Sequence, residues 1–126
     1  MGENGLKDVL FEMAGKIDGL VVTGVVGSDG VPIVMYEAPG NKLDPELVGA
    51  QFGEVLRIVA NGTHEMGTGE IEDNVTTTSG AYLLTKPIGD GSCYLGVATS
   101  KETSLGMLRI VAKNYTDKLW ASMPGK

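Results

Sequence analysis

The stretch from Asp44 to Met66 constrains this chain more than any other, because as one helix it is apolar on too many sides. Asp44 can cap its N-terminus, and Pro45 fits the first turn, where a missing N–H leaves nothing unpaired. At about 100° per residue, Val48, Phe52, Val55, Leu56 and Val59 share one face. Gly49, Gly53 and Ala60 extend that face with small side chains, and Leu47 and Ile58 lie beyond its other edge. Only Gln51, Glu54, Arg57 and part of Ala50 are left for water. An ordinary surface helix needs one apolar stripe, so this one needs two partners. Asn61-Gly62 is a candidate left-handed stop, which leaves the extent up to Met66 open.

A glycine inside a helix costs about 1 kcal/mol relative to alanine. Gly49 and Gly53, four residues apart, therefore imply the close approach of another backbone. Either they ease packing against the chain's own sheet, or a second copy of the helix packs there through a self-complementary twofold patch. The second reading is the sharper one.

Before this helix, Leu6, Val9, Leu10, Met13 and Ile17 fall at helical spacing, so Asn4 to Lys16 reads as a short amphipathic helix ended by Gly15 and Asp18-Gly19. Leu20 to Val26 is a valine-rich run that suits a strand covered on both faces. Ser28-Asp29-Gly30 marks a tight turn, and Val31 to Tyr36 returns as the hairpin's second strand, with Pro32 suited to an edge.

Beyond the long helix the period changes from 3.6 to 2. Glu70 to Thr78 sets Ile71, Asp73, Val75 and Thr77 on one side and Glu72, Asn74, Thr76 and Thr78 on the other, as in a polar edge strand. Ala81 to Lys86 and Cys93 to Ala98 complete a meander around Gly89-Asp90-Gly91. Leu105, Leu108, Val111, Ala112, Tyr115 and Leu119 then form the stripe of a last helix, capped by Thr103 or Ser104, with Ile110 and Trp120 off the stripe and partly exposed. The expected fold is α+β: a five-stranded antiparallel sheet with the long helix on one face and the two terminal helices on the other.

The 126 residues suit a single domain, and 42% hydrophobic with 21% charged residues is a soluble globular composition. A net charge of −6 argues against nucleic acid, whose phosphates require clustered Lys and Arg. No apolar run reaches the ~20 residues that span a bilayer, so membrane insertion is not expected. Met1-Gly2-Glu3-Asn4 lacks a signal-peptide pattern, and the one cysteine forms no internal disulfide, so the expected location is cytoplasmic.

Catalytic chemistry finds little footing. His64 and Cys93 are the only residues of their kinds, and neither lies in a nucleophile motif; a solvated histidine and a small buried cysteine are the expectation. No pair of candidate ligands has metal spacing. Gly67-Thr68-Gly69 and Gly89-Asp90-Gly91 lack the Gly-Lys-Ser/Thr ending of a phosphate loop. No catalytic, cofactor or metal site is expected.

The element order, with Gly24-Val25-Val26-Gly27-Ser28-Asp29-Gly30-Val31-Pro32 in the first hairpin, resembles the Roadblock / dynein light chain family. Gly80-Ala81-Tyr82-Leu83-Leu84, Tyr94-Leu95-Gly96-Val97-Ala98 and Leu105-Gly106-Met107-Leu108-Arg109 are similar to its later strands and the entry to its last helix. The resemblance implies a small non-catalytic homodimer that serves a small Ras-like GTPase, or a motor or signalling complex, as regulator or scaffold. Family dimers set their long helices side by side and join their third strands into a ten-stranded sheet. Carried onto this chain, the interface would be Val48, Gly49, Phe52, Gly53, Leu56, Ala60, Ile71, Asp73, Val75 and Thr77. The outer side of the paired helices would offer Gln51, Glu54 and Arg57 to a partner. Two alternatives stand beside this one: a profilin-like or PAS-like sensor with an internal ligand pocket, and a purely structural light-chain-like subunit. Under the dimer reading Gly53→Leu should shift the protein toward monomer or aggregate, and Glu54→Leu should not.

Overall fold

The computed structural model describes residues 5–124. In chain order the elements are α1 (Leu6–Ala14), β1 (Leu20–Gly27), β2 (Pro32–Glu37), α2 (Pro45–Met66), β3 (Asn74–Thr77), β4 (Tyr82–Ile88), β5 (Cys93–Thr99) and α3 (Leu105–Ala121). The strands form one antiparallel sheet in the order β2-β1-β5-β4-β3. The α+β architecture is the expected one, with Pro32 and the polar strand both at edges. Asn4, the expected start of α1, lies outside the described residues.

Alternation along the strands sorts side chains into two unequal layers. Val25, Leu84, Ile88, Leu95 and Val97 face α1 and α3 and build the main core with Leu10, Met13, Leu108 and Leu119. On the opposite face Val26 and Tyr94 meet Leu56 of α2 in a much smaller cluster. Tyr115 of α3 donates a hydrogen bond to the Glu12 carboxylate of α1, which ties the two terminal helices together. Ile110 is exposed, whereas Trp120 is half-buried against the core. Its indole lies over Gly89, whose φ of +61° and lack of Cβ make the β4–β5 turn flat enough to receive the ring.

Local chemistry explains the element ends. Gly30, at φ +85°, closes the β1–β2 turn, and the Asp29 carboxylate accepts the Val31 N–H at 3.0 Å. Asp44 caps α2 by accepting the Glu46 N–H at 3.0 Å, with Pro45 in the first turn. Ser104, and not Thr103, caps α3; Thr103 instead donates to the Asp18 carbonyl.

One open reading is settled and one expectation is corrected. The long helix, read from Asp44 to Met66, passes Asn61-Gly62 and runs unbroken to Met66, where Gly67 takes φ +71°. There the Thr68 N–H reaches the Thr63 carbonyl at 3.2 Å and the Gly67 N–H reaches His64 at 3.1 Å, the paired bonds of a Schellman cap. A glycine alone weakens a helix; it ends one where those carbonyls are taken up. Second, Glu70 to Asp73 is not strand, and β3 keeps only Asn74–Thr77. The Lys86 ammonium donates to the Glu72 carbonyl, and Asp73 turns to Arg109 of α3, so ladder pairing with β4 begins at Asn74.

The left-handed cap is directly testable. Gly67→Ala should lower unfolding free energy by about 1 kcal/mol, read from urea unfolding, since a Cβ is strained at positive φ.

Candidate interaction surface

One tyrosine fixes how α2 sits. The Tyr94 hydroxyl, rising from β5, donates to the Gly49 carbonyl in the second turn of α2. Its ring then lies beneath Gly53, where an added Cβ would come within 2.8 Å of the hydroxyl oxygen. At Gly49 an added Cβ would meet Val26 at 3.4 Å. The backbone approach signalled by the two glycines is therefore made to this chain's own sheet, the first of the two readings. Gly53→Leu would strike Tyr94, so it reports the seating of α2 and cannot by itself report self-association. Burial pushes the Tyr94 phenol up to about 12, as expected for a hydroxyl held inside and already donating.

This seating leaves most of the helix uncovered. Of the 22 residues of α2, only Gly49 and Leu56 are buried. Val48, Phe52, Val59 and Ala60 are half-buried. Leu47, Val55, Ile58 and Met66 keep 57%, 39%, 61% and 69% of their surface exposed. These four form an apolar flank beside the seated face, and large exposed apolar patches on soluble domains mark contact surfaces. The sequence had merged the two: Gly49, Gly53 and Leu56 face the sheet, and Leu47, Val55, Ile58 and Met66 do not.

The remaining expected residues scatter. Ile71 packs with the small cluster on the α2 side, whereas Val75 packs against the main core on the other side. The irregular backbone of residues 70–73 breaks the alternation that would have kept them together. Asp73 accepts from Arg109, Nε to Oδ2 at 3.2 Å. Thr77 is exposed on β3, a free sheet edge. On the outer side of α2, Glu54 and Arg57 form an exposed ion pair. Gln51 stands apart from them, between Leu47 and Val55 on the apolar flank.

The fold does bring His64 and Cys93 to one cleft, an open depression of about 560 Å³ between α2 and the β4–β5 turn. The cysteine is nevertheless buried, and desolvation first, then the Asp90 carboxylate, pushes its thiol up. A nucleophilic cysteine needs the opposite shift. Among the described residues no group of three or more His, Cys, Asp or Glu could hold a metal ion. Beneath α2 the apolar space bounded by Val22, Gly24, Phe52 and Thr85 is only about 20 Å³. That is room for about one water and far below the ~300 Å³ of a small-ligand pocket.

Two outcomes follow from this chemistry. Tyr94 and Tyr115 are both raised from about 10 to about 12, Tyr115 by burial first and by Glu12 second. As pH rises past 10 the unfolded chain loses these protons first, so their contribution to stability is whole below pH 10 and gone by about 12. Urea midpoints measured across that window should fall, and Tyr94→Phe should flatten part of the fall while lowering stability by about 1 kcal/mol at pH 7. Iodoacetamide at pH 8 should label Cys93 roughly tenfold or more slower in the folded chain than in denaturant; equal rates would contradict its burial.

No protein-family model matches the chain. Relatives from Methanocaldococcus jannaschii do, among them two uncharacterized proteins. The uncharacterized protein MJ0714 is 32% identical over 96% of this chain and 98% of its own length. The uncharacterized protein MJ0310 is 33% identical over 90% of this chain and 95% of its own. Among solved structures, Myxococcus xanthus MglB is similar with a TM-score of 0.81 at 17% identity, over 92% of each chain. A Roadblock/LC7 domain from Streptomyces avermitilis gives 0.77 at 12% identity, over 89% of this chain and 92% of its own. Profilin IA from Acanthamoeba castellanii is more distant in shape, at 0.57 and 13% identity, over 92% and 94%. The chain belongs to the family of these Methanocaldococcus jannaschii proteins, and its fold is of the Roadblock/LC7 type.

Proposed function

We propose that the protein is a non-catalytic, cytoplasmic homodimer that regulates or scaffolds a small Ras-like GTPase. The observation that carries the dimer is the bare apolar flank of α2: a 22-residue helix that buries two of its residues and exposes Leu47, Val55, Ile58 and Met66. In a lone subunit that flank would stay in water. A second copy offers the same patch, as twofold interfaces require. The free edge of β3, with Thr77 exposed, is the second place where copies meet. Val48 and Phe52, half-buried beside the flank, join this contact. Gly49, Gly53 and Leu56 support it from beneath by seating the helix.

The GTPase role rests on the Roadblock resemblance and on the likeness in fold to MglB. Glu54 and Arg57, paired on the outer side of α2, are the residues assigned to that partner. A surface of mixed charge on an acidic chain suits recognition of a partner through steering and orientation. The ligand-sensor alternative loses ground, because the space under α2 is too small for a metabolite.

Ile58→Glu should halve the mass in light scattering while leaving far-UV circular dichroism unchanged, because Ile58 keeps 61% of its surface exposed in its own subunit. Small GTPases encoded beside the protein should co-elute with it and hydrolyse nucleotide at a changed or unchanged rate, which separates regulator from scaffold. An Arg57→Glu variant should weaken that co-elution roughly tenfold. No complex with any of them would remove the GTPase assignment and leave the dimer standing.

A further inference from the structure

The cleft between α2 and the β4–β5 turn has the volume of a ligand site, about 560 Å³ within the roughly 300–1,000 Å³ usual for one. It lies away from the apolar flank. His64 is nine residues from Val55, and Arg57 nine from Met66, which is about half a turn round the helix. The cleft is therefore built independently of the contact between copies proposed above. Its floor is apolar, made by Leu56, Ile71, Pro87, Cys93 and Tyr94. Its wall along α2 runs from Gly53 to His64, about 16 Å of helix.

The polar groups around that floor favour one kind of guest. Glu70 and Asp90 line the side away from α2, and Glu70 forms no ion pair among the described residues. Ser28, Asn61 and His64 each bring a side chain able to accept a hydrogen bond and, among the described residues, none of the three is engaged in one. Arg57 is the exception in sign, but its guanidinium pairs with Glu54 on the outer side of α2. Glu70 and Asp90 are left to set the field. Cys93 on the floor registers it: after desolvation, the Asp90 carboxylate is the second cause that pushes its thiol up. An anion would meet these carboxylates, and a wholly apolar guest would leave the acceptors dry. An ammonium or guanidinium on a methylene stem satisfies both halves, because the head only donates and the stem lies along apolar surface.

We propose that the cleft binds an aliphatic amine or guanidinium, with its stem on Leu56, Ile71 and Pro87 and its cationic head facing Glu70 and Asp90. The same chemistry is carried by a free diamine and by a lysine or arginine side chain of a partner protein. The molecule holds its own reporter. Trp120, the chain's one tryptophan, lies over Gly89 from the opposite face of the sheet, so the β4–β5 turn separates its ring from the cleft.

Titration of the full chain with cadaverine should give a saturable change in Trp120 emission, whereas 1-pentanol should give none. The salt is set at about 0.15 M, where exposed charges beyond ~8 Å are screened. Glu70→Gln and Asp90→Asn should each raise the dissociation constant roughly threefold, and the double variant about tenfold, as for partly exposed ion pairs. Asp90→Asn keeps an acceptor for the Ser92 N–H, so the turn survives, which circular dichroism verifies. Glu65→Gln, on α2 but outside the cleft, should change nothing. The acetylated and amidated tripeptide Ala-Lys-Ala forms the second arm, with norleucine for lysine as its control. Tighter binding of the tripeptide than of cadaverine assigns the cleft to a partner's side chain; the reverse order assigns it to a free amine. No saturation with either probe by emission and by calorimetry, an equal response to 1-pentanol or the norleucine peptide, or a constant unmoved in the double variant would overturn the site.

Discussion

The hydroxyl of Tyr94, held by the carbonyl of Gly49, decides what this molecule presents to others. Rotation of a helix on a sheet is free until something pins it, and here one ring under Gly53 and one hydrogen bond do so. The pin turns the small residues of α2 inward and its bulky ones sideways. Had the helix rolled to bury Val55 and Ile58, the subunit would hide its grease, and Gly53 would lie in water for no reason. The main core on the other side of the sheet, with fifteen buried residues around α1 and α3, does not depend on that choice. Stability and interaction are thereby assigned to opposite faces of one sheet.

How much of this was legible depended on whether the cause was local. Turn residues such as Gly30 and caps such as Asp44 act within four positions, and the short apolar runs of β1, β4 and β5 need no distant information, so the architecture was readable. The glycine pair was readable as a close approach but not as to what. The answer lies forty-odd residues away in Tyr94, whose position depends on the sheet order β2-β1-β5-β4-β3. The helix end at Met66 was left open because Asn61-Gly62 and Gly67 look alike in composition. Only the second has Thr63 and His64 carbonyls captured behind it. In the same way, the polar strand was drawn too long because a lysine side chain and an ion pair to α3, both nonlocal, hold residues 70–73 out of the ladder.

The site assignments fared according to the same rule. Periodicity found that α2 is apolar on more than one side, but could not divide that surface between an inner and an outer partner. Gly49, Gly53 and Leu56 went inward; Leu47, which had been left at the margin, went outward with Ile58 and Met66. Gln51, grouped by polarity with Glu54 and Arg57, belongs by position to the apolar flank. His64 and Cys93 show the converse: the fold brings them to one cleft, yet burial leaves the thiol the wrong way for chemistry.

A small domain with a secure core on one face and a bare apolar helix flank on the other suits the covering by a second copy proposed above. Sedimentation equilibrium of the unmodified chain tests this most directly. The account requires a species of twice the chain mass that persists on dilution through the micromolar range; a single species of one chain mass at every concentration would contradict it.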